Sequence, residues 1–273
     1  MMMMRPYITT TMILFSACVL QLQAIEDDVL ATAAEKVRSA GVMLDAEALE
    51  GPSEWESKIS AGVTFKSGNA DSENFAGGME TAKLLGRTLF SASAEGAYET
   101  TYTRDEDGAR QSDQTAGSAR VVANIKQRFE DFFLFADVSL YHDDLSDVRY
   151  RAIESGGIGT FLLESNTLKF SVETGFAYIH ERAPEPDEYL GLRFAERLDW
   201  ELNESFSLWE KVEMIPELVE LKNMLLSSEL GVESAINASL SLAVKLKIEY
   251  DSDPSEAVET TDSLFMTQLT IKF

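Results

Sequence analysis

The sequence predicts an all-β protein: one antiparallel, transmembrane, up-and-down β-barrel of about twelve strands, preceded by a short helical or disordered N-terminal segment. Three observations predict it. Apolar and polar side chains alternate with a period of two through successive segments. Tight turns take turns with longer polar connections. The chain closes on Leu269-Thr270-Ile271-Lys272-Phe273, where Phe265, Leu269, Ile271 and Phe273 occupy alternate positions broken only by Thr267. Such alternation gives a strand one apolar and one polar face, and a strand carried to an aromatic end residue fits the closing strand of an outer-membrane barrel.

Residues 1–24 read as a secretory leader. Arg5 supplies the positive n-region, the stretch from Tyr7 to Leu20 is mostly apolar, and Ala24 precedes Ile25-Glu26-Asp27-Asp28. That apolar stretch, interrupted by Thr9, Thr10, Thr11 and Ser16, is short for a membrane-crossing helix. The single cysteine, Cys18, falls inside the leader behind Phe15-Ser16-Ala17, a poor lipidation site, so disulfides are expected to play no part in the mature protein. Residues 25–52 form a separate periplasmic segment. Val29-Leu30-Ala31-Thr32-Ala33-Ala34-Glu35-Lys36-Val37 favours helix, and Gly51-Pro52 ends it.

The barrel is expected from residue 53 to 273. In the first segment, 55–66, Trp55, Ile59, Ala61, Val63 and Phe65 oppose Glu56, Lys58, Ser60, Thr64 and Lys66. Segment 73–84 is weakly patterned and holds Gly77 and Gly78; in 88–103, Phe90, Ala92, Ala94 and Tyr98 oppose Ser91, Ser93, Glu95 and Glu99. Segments 113–127, 131–142 and 148–163 follow, the last interrupted by Gly156, Gly157 and Gly159. In 167–181, Leu168, Phe170, Val172, Phe176 and Tyr178 oppose Lys169, Ser171, Glu173 and Ala177. Segments 188–202, 205–216 and 222–236 lead to 238–252, where Leu240, Leu242, Val244, Leu246, Ile248 and Tyr250 oppose Ser239, Ser241, Ala243, Lys245, Lys247 and Glu249. Segment 261–273 is last. Tight turns are expected at residues 85–87, 130–131, 164–166, 203–204 and 234–237, and longer loops at 67–72, 105–112, 143–147, 183–187 and 252–260. Glu196 and Glu210 break the pattern by sharing the apolar parity, a conflict that a bulge or an interfacial position would resolve. The competing architecture is a soluble sandwich or lipocalin-like barrel, in which the apolar face would point inward.

Charge narrows the function. The chain carries 23 basic against 47 acidic residues, and loss of Arg5 with the leader leaves −25, so nucleic acid is excluded as a partner. Outer-membrane lipids are the expected surroundings, small ions or solutes the expected traffic, and the barrel-assembly machinery a partner through Phe265, Leu269, Ile271 and Phe273. Lys169, Glu173, Arg193, Arg197, Glu229, Glu233, Lys245, Lys247 and Glu249 are the candidate lumen charges, with Arg149 and Arg151 beside them. Trp55, Tyr98, Tyr102, Tyr178, Trp200, Tyr250 and Phe273 suit aromatic girdles. No catalytic, cofactor or metal residues are expected. Asp143, Asp144, Asp147 and Asp105-Glu106-Asp107 lack the spacing of a calcium loop. A lipid hydrolase would have to use His180 with Glu181 and either Ser155 or Ser171, and no nucleophile-elbow pattern supports it.

Ser67-Gly68-Asn69, Tyr150-Arg151 with Gly157-Ile158-Gly159, Glu173-Thr174-Gly175 with Tyr178, Ala195-Glu196-Arg197-Leu198, Tyr250 with Pro254, and Phe273 follow one another in a persuasive order. With them the chain resembles a known family of bacterial salt-induced outer-membrane proteins defined by a domain of unknown function. The resemblance spans most of residues 55–273, leaves 25–52 uncovered, and implies an outer-membrane barrel without established activity. The reading that follows is a non-catalytic barrel, either a narrow pore or a structural envelope protein, linked by the family label to salt or osmotic stress. A lipid hydrolase and a closed ligand-binding barrel are the alternatives.

Overall fold

The computed structural model describes residues 52–66, 71–104, 110–144, 148–183, 187–254 and 260–273. The leader and the 25–51 part of the N-terminal segment lie outside the described residues, as do Asp105, Glu106, Asp107 and Asp147. Twelve strands follow one another: β1 (Glu56–Lys66), β2 (Asp71–Leu85), β3 (Thr88–Arg104), β4 (Arg110–Arg128), β5 (Phe133–Asp143), β6 (Val148–Glu164), β7 (Leu168–Arg182), β8 (Asp187–Asn203), β9 (Phe206–Pro216), β10 (Met224–Ala235), β11 (Leu240–Asp251) and β12 (Thr261–Lys272). Each pairs antiparallel with its sequence neighbours, and β12 returns to β1 to close the barrel. Closure removes the open edges that hydrocarbon would not tolerate. No helix among the described residues is long and apolar enough to cross a membrane, so any crossing is made by strands.

The turns follow from their residues. Gly86 sits at φ 63° between β2 and β3, where a Cβ would strain the backbone. The Asn203 side-chain oxygen accepts from the amides of Ser205 and Phe206 at 2.9 and 3.1 Å, and Asn237 does the same for Ser239 and Leu240 at 2.9 and 3.0 Å. These are Asx turns, the local alternative to strand pairing that ends a strand sharply. The strand bounds leave two to four residues between partners at this end and four to nine at the other. One longer connection, 217–223 between β9 and β10, was not among the loops expected from the sequence.

The alternation points apolar side chains outward. Leu242, Val244 and Leu246 are 39%, 37% and 37% exposed, whereas the side chains of Lys245 and Lys247 between them are only 11% and 12% exposed. The soluble alternative requires the reverse. Aromatics collect at both rims on the outer face, with Trp55, Trp200, Phe206 and Phe273 at the short-turn end and Tyr150 and Tyr178 at the other.

Two expectations need correction. The bore is not lined by hydrophilic groups alone. Ala177, Ile179 and Ile215 point inward and are buried, with Ile153, Tyr189 and Leu225 packed on them. They stand on the neighbouring strands β6–β10 and pack side by side over the bare backbone of Gly191, where a Cβ would lie 2.6 Å from Ile215, so they shield one another from water. Nor does a bulge rescue Glu196 and Glu210. The β8–β9 register runs unbroken through Glu196↔Val212 and Leu198↔Glu210, and its irregularity comes later, between Glu201 and Asn203. Both carboxylates stay on the outer face, about 10 Å or more above the Phe206 rim at ~2.5 Å of height per tilted residue.

The weakly patterned glycine segments have a steric cause. A Cβ on Gly157 would lie 2.1 Å from the Thr174 carbonyl oxygen, and one on Gly175 2.2 Å from that of Gly156, so β6 and β7 approach more closely there than any side chain permits. Gly159 and Gly231 instead leave room for rings. Phe133 lies against Gly159, and Trp209 lies across Gly231 with its ring 2.0 Å from where a Cβ would stand. Aromatic residues thus cover bare backbone and fill the bore.

Candidate functional site

The lumen is where the charged side chains converge, and they divide into two systems. The first belongs to the wall β4–β9. Arg193 on β8 donates from Nε to Glu213 at 2.7 Å and from Nη1 to Glu173 at 2.8 Å, and its Nη2 lies 3.6 Å from Asp137. Lys126 on β4 holds the other oxygen of Glu173 at 2.5 Å, and Ser155 donates to Asp137 at 2.8 Å. Lys126, Phe135, Gly157, Gly175 and Arg193 fall on one register row across five strands. The two glycines in the row let the long basic side chains lie along the wall, stacked on the rings of Phe133 and Phe135 at 5.1 and 4.7 Å.

The second system crosses the bore and is organised by β11, whose consecutive inward residues are Lys245, Lys247, Glu249 and Asp251. Lys247 and Lys245 reach Glu95 of β3 at 2.7 and 3.4 Å. Glu249 pairs with Arg120 of β4, and Asp251 with Arg151 of β6 at 2.5 Å, where Glu181 is the second partner of the guanidinium. Glu229 on β10 anchors the basic end: it accepts from Trp209 Nε1 at 2.7 Å and from Lys211 at 3.1 Å, and lies 3.7 Å from Lys245. The strand reads basic, basic, acidic, acidic, and the facing walls answer with acidic, basic, basic.

These contacts fix the shape of the bore. In a round twelve-stranded barrel with strands ~4.8 Å apart and tilted ~40°, the radius is about 12 Å and β3 stands about 21 Å from β11. A glutamate and a lysine meeting tip to tip span only about 14 Å by bond lengths. The section is therefore flattened, with β11 brought toward β3, β4 and β6. A cavity of about 70 Å³ remains beside the bridges, lined by Arg120, Tyr141, Arg151, Glu181, Ile215 and Glu249, room for roughly two waters at ~30 Å³ each.

The nine lumen candidates all lie on inward-parity positions of β7, β8, β10 and β11. The structure joins Glu173 to Arg193, and Glu229 to Lys245. Lys247 lies 3.7 Å from Glu249. Arg197 turns to Asp199 instead, at 2.6 and 2.7 Å, and Lys169 and Glu233 lie toward the short-turn end. Sequence reasoning did not single out Glu95, Arg120, Lys126, Asp137, Trp209, Glu213 or Asp251 as lumen candidates. Their parity was readable, their partners were not. Phe265, Leu269, Ile271 and Phe273 are all exposed on the outer face.

The hydrolase constellation comes apart. His180 lies on the outer face, with Nδ1 2.7 Å from Glu188 and Nε2 3.0 Å from the Tyr150 hydroxyl, while Ser155 and Ser171 point into the bore. A strand places alternate residues on opposite faces, so neither serine can reach this imidazole. Asp144 accepts from the Gly117 amide and approaches His142, and no group of three or more potential metal ligands occurs among the described residues.

An apolar outside, rings at both rims and a charge-filled interior on a closed antiparallel sheet define a membrane-type β-barrel. The family described as "Protein of unknown function, DUF481" matches residues 59–273, and the chain belongs to it. No curated protein matches in sequence. Among solved structures, the chain is similar to the translocator domain of the autotransporter NalP from Neisseria meningitidis, with 12% identity over 90% of this chain and 97% of that one and a TM-score of 0.45. The COG4313 outer membrane channel from Pseudomonas putida F1 is similar at 10% identity, 84% and 97% coverage and a TM-score of 0.47. The NanC porin is similar at 9%, 79% and 97%, and 0.45.

Proposed function

We propose that the protein is a non-catalytic barrel of the bacterial outer membrane that acts as a narrow, cation-preferring pore in the envelope's response to salt or osmotic stress. The observation that supports this reading is the β11 ladder. Its charges meet their partners across the bore, so the constriction is made of side chains that can rearrange, beside a cavity large enough for water. A barrel whose only task was to be rigid would gain more from an apolar filling, because buried ion pairs repay their desolvation poorly.

The chain's net charge of −24 draws cations to its mouths. Planar-bilayer recording of the folded protein tests the reading. Small, salt-dependent conductance with reversal potentials favouring cations is expected. Folded protein that inserts and never conducts sinks the pore and leaves a structural barrel, and anion preference sinks the stated selectivity. Cell fractionation should place the protein with the outer membrane, and its N-terminus should begin near Ile25 once the leader is removed. The exposed outer face of β12 is the surface this reading offers to the assembly machinery, and removing Phe273 should lower the yield of folded barrel.

A further inference from the structure

The Glu95 bridge is made by a carboxylate that has travelled to a basic site on a distant strand. On the hydrogen-bonding row that contains Glu95, the strands it passes carry Gly78, Ser60 and Thr270, ending at Ser241 on β11. All four are small and neutral, so nothing along that arc competes for the carboxylate. It binds instead to Lys245 and Lys247, whose tips share one target at 3.4 and 2.7 Å. Among the described residues each lysine forms one further ion pair, with Glu229 and Glu249 respectively, both at 3.7 Å and so beyond hydrogen-bonding distance, and Glu80 acts on Lys245 from farther away.

Withdrawal of Glu95 leaves the cluster unbalanced. Arg120, Lys211, Lys245 and Lys247 face Glu95, Glu229 and Glu249, with Glu80 near Lys245, so these charges match with Glu95 in place and are one positive in excess without it. In a chain of −24, that excess inside the bore is a local reversal. Both lysine side chains are nearly covered, so they have little water of their own to fall back on.

Resting on the pore reading above, we propose that Lys245 and Lys247 form a binding site for the carboxylate of a small solute, and that Glu95 is its tethered occupant. A solute carboxylate takes the position of the Glu95 oxygens, the two ammonium groups donate to it, and Glu95 swings toward Gly78, where it meets the small Ser60 hydroxyl, a group able to donate to it. Release of the solute returns Glu95 to the lysines. A tethered group competes at an effective concentration of about millimolar or higher, so the native site exchanges its ligand readily and holds it weakly.

Saturation-transfer NMR on the folded full-length protein in detergent, with acetate as the probe, tests the site without requiring conduction. Glu95→Gln should reach half-saturation at an acetate concentration at least tenfold lower than wild type. The triple variant E95Q/K245Q/K247Q should lose the signal. Glu95→Asp, which keeps the charge but falls short of the lysines, should move in the same direction as Glu95→Gln and covers the case in which the amide variant does not fold. Equal acetate binding by wild type, E95Q and the triple variant overturns the site. In planar bilayers, E95Q should conduct more than wild type and shift its reversal potential toward anions. Acetate binding by a protein that never conducts would leave the site standing and remove the pore, whereas conduction with acetate binding unchanged by E95Q would do the opposite.

Discussion

Two walls of one bore carry the same kind of ion pair to different ends. On β4–β9 the charges are satisfied within the wall: Arg193 is gripped by Glu173, Glu213 and Asp137, and its guanidinium lies over the ring of Phe135. On β11 the charges find their hydrogen-bonding partners by reaching across to β3, β4 and β6, with Glu229 on β10 and Glu249 on β11 itself no nearer than 3.7 Å to the lysines. The difference is one of distance along the sheet, not of chemistry. A pair between near strands fastens the wall, while a pair between far strands narrows the passage and can let go without unravelling the sheet.

Replacing Arg193 with Met strikes the wall and should have the largest effect. Three carboxylates would lose their common partner in a nearly buried place, and stability should fall by about 3–5 kcal/mol in urea unfolding from detergent micelles. A loss below about 1 kcal/mol would mean that the cluster is hydrated and not a fastening. Next comes the outer face, common to both walls. Val121→Lys, whose outward neighbours Ala94 and Leu140 offer it no partner, should cost about 2–4 kcal/mol if it meets mid-depth hydrocarbon. A neutral result there would deny the membrane reading to that face.

Gly231→Ala probes packing next to β11. A methyl group 2.0 Å from the Trp209 ring must displace it from Glu229, at about 1–3 kcal/mol, and Trp209→Leu in the same chain should recover most of that loss. The contrast with the wall is sharpest for Lys247→Met. Glu95 keeps Lys245 as a partner, so unfolding should shift by less than about 1 kcal/mol while single-channel conductance rises. If Lys247→Met proved as damaging as Arg193→Met, the two walls would be one structural unit. The smallest effect is a gain: Glu196→Leu with Glu210→Leu removes two carboxylates from the lipid face and should add about 1 kcal/mol or less.

Much of the wall was readable before the structure, because a period of two fixes which residues share a face and turn residues fix where each strand stops. All twelve expected segments fall within three residues of the observed strands, and Leu242, Val244 and Leu246 lie outward as their alternation requires. What alternation does not contain is the stagger between strands. Glu95 and Lys247 are 152 residues apart, and their meeting depends on tilt and on the flattening of the barrel, neither of which is a local property. Ile153, Ile179 and Ile215 share the inward parity, and the reason aliphatics stand there shows only once the pairing sets Ile179 and Ile215 against the bare backbone of Gly191. Trp209 was overlooked because its fit depends on the absent side chain of Gly231 on the next strand.

The seam between the first and last strands has consequences for the order of folding. β1 and β12 share five register pairs, where β1 and β2 share eleven, and a Cβ on Gly62 would stand 2.4 Å from the Thr267 carbonyl at the last of the five. At the other end Ser57 and Phe273 exchange backbone hydrogen bonds at 3.0 and 2.9 Å. Hairpins such as β2–β3 join residues adjacent in the chain, but this seam joins residues more than 200 apart, and closing so long a loop is entropically costly. The free edge of β1 must therefore wait for β12. The sheet stays an open ribbon until that pairing forms, and the same short ladder is where the cylinder should first part under denaturant.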